Sequence, residues 1–168
     1  MRSAQRVKNR NKYIDYNKGC YFVTICVAEE VDYFGRIENH QMYLSDLGII
    51  AYEMWYQIPV HYNFVKLNEF IVMPDHIHGI LIINNTVGDR HACPLLDKNL
   101  SLPTTNRPQN QNLPIIIGSY KSAVSREIHQ STFFKWQRSF HDEVIKNNLE
   151  YINIQKYIKN NPNKYIEK

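Results

Sequence analysis

At 168 residues the chain is long enough for one domain with a real core, and two independent domains would be cramped. Its hydrophobic fraction of 43% and aromatic fraction of 12% exclude a disordered composition, and no apolar run approaches the roughly 18 residues of a membrane span. A net charge of +4 is modest, and three cysteines without Cys-x-x-Cys spacing suggest neither a disulfide framework nor a structural zinc cluster.

The chain opens on a basic arm, residues 1–18, in which Arg2, Arg6, Lys8, Arg10 and Lys12 precede the first acid, Asp15. Such arms commonly supply phosphate contacts. The arm lacks the apolar centre of a signal peptide, so a cytoplasmic protein is expected. Residues 19–28, Gly-Cys-Tyr-Phe-Val-Thr-Ile-Cys-Val-Ala, are aromatic and β-branched and predict a strand. Residues 31–43 read as irregular. Ser45-Asp46 can cap a helix through Leu47, Ile50, Ala51, Met54, Trp55 and Ile58, ending before Pro59.

Two antiparallel strands are expected at 64–73 and 77–83, joined by a tight turn at Pro74-Asp75, where proline presets φ and aspartate can bond nearby backbone. Immediately after the turn stand His76-Ile77-His78. Strand side chains alternate between faces, so His76 and His78 project together while Ile77 points into the core. Two imidazoles on one face can hold a cation, although by itself the pair is also what two ordinary strand histidines look like.

Residues 84–114, rich in Asn, Pro, Thr and Gln, read as an inserted mobile loop. Pro114 can open a helix through Ile116, Tyr120, Ala123, Val124 and Ile128, with Lys121, Arg126 and His129 on its other side. Residues 133–145 predict a strand. The final helix carries Ile154, Tyr157, Ile158 and Asn161 on one face at three-and-four spacing, and Pro162 stops it. Strand, helix, strand, strand, helix, strand is the order of a ferredoxin-like (RRM-like) α+β fold, here followed by a helix bearing Tyr157. Residues 19–168 are thus expected to form a single domain.

Taken together, Met73-Pro-Asp-His-Ile-His-Gly-Ile, Gly118-Ser-Tyr-Lys-Ser-Ala-Val-Ser-Arg, Trp136-Gln-Arg-Ser-Phe and Tyr157-Ile-Lys-Asn-Asn-Pro resemble, in order, the segments of the single-tyrosine HUH transposases. The last segment is similar to the branch associated with repeated extragenic palindromes, within the IS200-like group. One departure stands out: after Trp-Gln-Arg-x-aromatic the family often has an acid followed by histidine, whereas this chain has His141-Asp142-Glu143, and no catalytic histidine is carried over to that site.

The resemblance implies a DNA transposase in which Tyr157 is the nucleophile, forming a 5′-phosphotyrosine on single-stranded DNA, and in which His76, His78 and Asn161 hold Mg²⁺ or Mn²⁺. The third ligand follows from the family's polar side chain four residues after the nucleophile. Neutral oxygen suits such a hard ion. A hairpin beside the cleaved strand is the implied partner, with Lys121, Arg126, Arg138 and Lys156 as candidate DNA contacts and a homodimer as one expected assembly. Two other functions fit the same residues: a hairpin-binding module that does not cut, and an HUH nickase of replication initiation or plasmid transfer. A binder has no need of all four site residues, and the chain shows no helicase or origin-binding segment.

Overall fold

Alternation along the first strand organises the molecule. In a computed structural model that describes residues 16–83, 111–128 and 133–165, β1 (Gly19–Cys26) buries Tyr21, Val23 and Ile25 on one side and Cys20 on the other, with Phe22 and Thr24 half-buried beside it. Both of its faces are therefore covered. Four strands are assembled in the order β4 (Val65–Val72), β5 (His76–Ile83), β1 and β6 (His141–Val144), and every neighbouring pair is antiparallel. Joined through α1 (Asp46–Tyr56) and α3 (Leu113–Ile128), this is the ferredoxin-like α+β arrangement expected from the element order.

The two helices cover one face of the sheet. Ala51 and Trp55 of α1 and Ile116, Ile117, Tyr120 and Val124 of α3 pack with Tyr21, Val23, Ile25, Ile77, Leu81 and Ile83. Gly79 shares that strand face, and a Cβ there would overlap the Trp55 indole. On the opposite face Cys20, Ile80, Ile82 and Ile145 pack with Tyr151 and Ile158 of α4 (Asn148–Lys159). Asn147 caps α4 by accepting from the Glu150 N–H at 2.9 Å, while the Glu150 carboxylate accepts from Asn147 Nδ2 and the Lys146 N–H.

The sequence reading needs correction in four places. Residues 31–43 are not wholly irregular: β2 (Gly35–Glu38) and β3 (Gln41–Leu44) form a hairpin. Asn39 and His40, at φ 51° and 63°, adopt the left-handed backbone that suits a two-residue turn. Pro59 does not simply end a helix; it lies in the first turn of the short α2 (Ile58–His61), where its missing N–H has no partner to lose. The strand expected over 133–145 shrinks to β6 and an isolated Val27–Trp136 bridge. Side-chain bonds occupy the intervening backbone, since Lys121 Nζ donates to the carbonyls of Gln137 at 2.6 Å and Ser139 at 3.4 Å.

The fourth correction concerns the last helix. α4 ends at Lys159, and Asn161 begins a new short helix, α5 (Asn161–Lys164), with Pro162 in its first turn. Tyr157 and Asn161 thus belong to consecutive helices.

Of the basic arm, residues 1–15 lie outside the described residues, and Tyr16 stacks on Tyr21 while its carbonyl accepts from the Leu113 N–H at 3.1 Å. Residues 84–110 of the expected insertion also lie outside, whereas Leu113 and Pro114 already belong to α3. Among the described residues no helix is long and apolar enough to cross a membrane.

Replacing Gly79 with Ala should destabilise the fold by about 1–3 kcal/mol, the usual cost of overpacking a filled core. Urea denaturation checks it: a midpoint equal to that of the parent would mean that the sheet and Trp55 do not meet at Gly79.

Candidate active site

The register of β1 against β5 builds the site. Thr24 lies opposite His78, and Cys26 lies opposite His76. Directly opposed residues of an antiparallel pair share a face, so Thr24, His76 and His78 all face the α4 side, and Ile77 is buried on the other. The Pro74-Asp75 turn that presents the pair is closed by the Met73 N–H donating to the His76 carbonyl at 2.8 Å. Two further bonds clamp it: the Val27 N–H donates to the Asp75 carbonyl and the Phe34 N–H to the Pro74 carbonyl, both at 2.9 Å.

Each imidazole is oriented through its Nδ1. Asp75 Oδ1 lies 2.5 Å from His76 Nδ1, and Thr24 Oγ1 lies 2.9 Å from His78 Nδ1. The two Nε2 atoms are thereby turned toward each other, 3.1 Å apart. A carboxylate only accepts, so Nδ1 of His76 carries its proton and Nε2 keeps a lone pair when the ring is neutral. His78 is held neutral, because burial, reinforced by the neighbouring His76 and opposed by Asp75, pushes its pKa down to about 3. With Thr24 donating to Nδ1, His78 donates from Nε2 to His76. With a cation between the rings, the threonine hydroxyl can turn and accept instead, leaving both Nε2 lone pairs free.

That donor set fits a divalent ion. Two neutral imidazoles with second nitrogens held by a carboxylate and a hydroxyl are the usual support of a histidine metal site, and 3.1 Å is close to the separation of adjacent ligands about 2.1 Å from a shared centre. No cluster of three or more His, Cys, Asp or Glu side chains able to hold a metal occurs among the described residues. Among the described residues, further ligands would come from other donors. Asp75 is already bonded to the rear of His76 and orients that ring.

Tyr157 approaches the pair from α4. Its hydroxyl lies 3.4 Å from His78 Nε2, its ring meets His78 and Phe22 edge-on, and it remains 39% exposed. Neither alternative tyrosine offers this arrangement: Tyr151 is buried beneath α4, and the Tyr165 hydroxyl donates to Asp32 at 3.2 Å. Two polar ties pin α4 to the sheet edge. Gln155 Nε2 donates to Asn68 Oδ1 at 2.8 Å, and Lys159 Nζ pairs with Glu69 Oε1 at 2.9 Å. A bulge between Leu67 and Phe70 accompanies both ties, and Phe70 returns to the far face to stack on Trp55.

Asn161 is buried at the start of α5, only 6% exposed, and no hydrogen bond joins it to either histidine among the described residues. Of the four basic candidates, Lys121 and Arg126 line a groove of about 390 Å³ with Ser122, Ser125 and Trp136. This groove belongs to α3, across the sheet from the histidines. Lys121 is partly committed to the 137–139 backbone and lies over the Trp136 ring. Arg138 and Lys156 are exposed and are not brought to the histidine pair by any contact among the described residues. Sequence reasoning did not find the parts played here by three residues: Thr24, which only the register reveals; Asp75, read as a turn former and as a fallback metal ligand but not as the partner of His76 Nδ1; and Lys164, whose ammonium lies 5.8 Å from the centre of the Tyr157 ring.

Replacing Thr24 with Val would leave the buried His78 Nδ1 without its partner. We expect a loss of about 1–3 kcal/mol, checked by chemical denaturation without added metal; an unchanged free energy would show that the hydroxyl does not hold the ring.

Comparison with known proteins places this geometry on a familiar scaffold. The chain is 34% identical over 156 residues to an uncharacterized protein of Haemophilus influenzae, an alignment covering 91% of this chain and 86% of the relative. Its fold matches the REP-associated tyrosine transposase bound to a REP hairpin with a TM-score of 0.59 and 15% identity, over 92% of this chain and 73% of that one. No family model matches the sequence. The chain belongs to the same family as the Haemophilus influenzae protein, and it has the α+β fold of the REP-associated tyrosine transposase.

Proposed function

We propose that the protein is a DNA strand transferase that cuts and rejoins single-stranded DNA through Tyr157. The observation that carries this reading is the approach of an exposed tyrosine hydroxyl to 3.4 Å from Nε2 of His78, where the two histidine nitrogens converge. A phenol is a weak nucleophile at neutral pH. Pinning α4 to Asn68 and Glu69 sets the position of Tyr157 before substrate arrives, so its attack need not wait for an ordering step.

In the step itself the Tyr157 oxygen attacks phosphorus, the new O–P bond forms, and the bond to the 3′ oxygen breaks. The phenolic proton passes to solvent, the departing 3′ oxygen takes up a proton, and the products are a 5′-phosphotyrosine and a free 3′-hydroxyl. Because one phosphoester replaces another, a 3′-hydroxyl on another strand can reverse the reaction and rejoin DNA without ATP. His76, His78 and Asn161 would hold Mg²⁺ or Mn²⁺, which when bound polarises the phosphodiester and offsets its developing charge. Asp75 and Thr24 keep the two rings aimed. Lys164, whose ammonium lies 5.8 Å from the centre of the nucleophile's ring, adds positive charge beside it.

A DNA hairpin is the expected partner, by analogy with the hairpin-bound transposase of the same fold. Arg126 and Arg138 are the freer of the predicted contacts, with Lys121 bracing the segment that carries Arg138 and Lys156 next to the nucleophile.

The reading is tested by incubating the protein and Mg²⁺ with single-stranded DNA labelled on the 3′ side of the cut. The parent should give a denaturation-resistant adduct, whereas Tyr157→Phe should give none and bind the same DNA about equally well; an adduct from the Phe variant would remove Tyr157 as the nucleophile. Metal titration of cleavage addresses the third ligand. Asn161→Leu should raise the metal requirement by roughly tenfold or more, as loss of a supporting group does in other metal sites, while exposed Asn160→Leu should leave it nearly unchanged. The reverse pattern would move the ligand to Asn160.

A further inference from the structure

The face that carries the candidate site is only partly covered by α4. The helix ties itself to β4 through Gln155 and Lys159, and Tyr157, two residues from each, points about 200° around the helix from them. It therefore reaches over His78 of β5 to Phe22 of β1, the strand that pairs with β6. The register of β6 defines what lies there: His141 opposes Thr24, Glu143 opposes Phe22, and Ile145 donates its N–H to the Cys20 carbonyl at 2.8 Å. Ile145 belongs to the α4-side core and Val144 packs with the α3-side core, which fixes His141 and Glu143 on the α4 side. One row across the sheet thus runs Ile71, His78, Thr24, His141.

His141 is exposed, and it has neither a hydrogen bond nor an ion pair among the described residues. It lies two strand spacings from His78, about 10 Å between backbones, with half-buried Phe22 and Thr24 beside it. Glu143 occupies the next row, farther from the histidine pair, and its carboxylate would repel a phosphate placed over it.

We propose that the cleaved strand crosses the β1–β6 half of this face and that His141 binds a phosphate neighbouring the one Tyr157 attacks. The unpaired imidazole supplies the N–H donor, Phe22 supplies an apolar surface beneath the sugar and base, and Glu143 confines the backbone to the His141 end. This makes His141 a strand-binding residue, and the assignment rests on the strand-transfer reading above.

The experiment measures binding of a fluorescent single-stranded oligonucleotide in low salt without metal, using Tyr157→Phe so that no cutting intervenes, alongside adduct formation by proteins that retain Tyr157. His141→Ala should weaken binding roughly fivefold, a loss typical of one solvent-exposed hydrogen bond. It should do so about equally for different sequences and should raise the DNA concentration needed for adduct formation with little change in the saturated rate. His141→Lys should restore affinity, and His61→Ala, on an exposed helix end elsewhere, should leave it unchanged. Equal affinity for His141→Ala and its parent overturns the assignment while adduct formation by the parent keeps the strand-transfer reading. Weakened binding that His141→Lys does not restore overturns the phosphate contact. If the parent forms no adduct yet His141→Ala still weakens binding and His141→Lys restores it, the strand path stands and the transferase reading falls.

Discussion

The pairing of β1 with β5 is the constraint on which the site depends. That one register sets Thr24 against His78, turns Ile77 into the core and leaves both histidines on the opposite face. A slip of one residue would exchange the faces, burying the imidazoles under α1 and α3 and exposing Ile77. The apolar residues of β5 exclude that slip, since Ile77, Leu81 and Ile83 are completely buried with Trp55 seated over Gly79. Core packing therefore determines the direction of the histidines.

A second constraint acts from the edge of the sheet. The β4 bulge lies where Asn68 and Glu69 engage α4, so an irregularity in one strand governs where the helix rests and which way Tyr157 points. The Pro74-Asp75 turn is similarly held from outside by Val27 and Phe34, the segment that leads into the β2–β3 hairpin. Elements without chemistry of their own position both halves of the candidate site. The open half of the same sheet face, from Phe22 to His141, is left for substrate in the proposed function.

Much of this was legible in the sequence because it depends on local rules. The aromatic and β-branched strand read over 19–28, the strand of 77–83, Ser45 as a cap, and Pro74-Asp75 as a turn all follow from side-chain and backbone preference, and the structure contains each of them, the first as Gly19–Cys26. The β2–β3 hairpin escaped notice because its strands have only four residues each, too short for their alternation to stand out from irregular sequence. The strand over 133–145 was overread for a different reason: Lys121, remote in sequence, supplies bonds to the Gln137 and Ser139 carbonyls, and no local pattern encodes that. At the site, His76, His78 and Tyr157 were readable as residues and are brought together, whereas the roles of Thr24 and Asp75 required coordinates. Pro162 was read as a terminator, but its fixed φ suits a helix start equally well, which is why Asn161 falls on α5.

The account rests most directly on the two imidazole nitrogens that face each other 3.1 Å apart, which in the proposed function hold one cation. Soaking crystals of the protein in Mn²⁺ and collecting data near the manganese absorption edge would test it without DNA or turnover. The account predicts one strong anomalous peak within bonding distance of Nε2 of both His76 and His78, with Asp75 still bonded to Nδ1 of His76. A peak on the Asp75 carboxylate instead, or no peak between the rings at millimolar Mn²⁺, would contradict it.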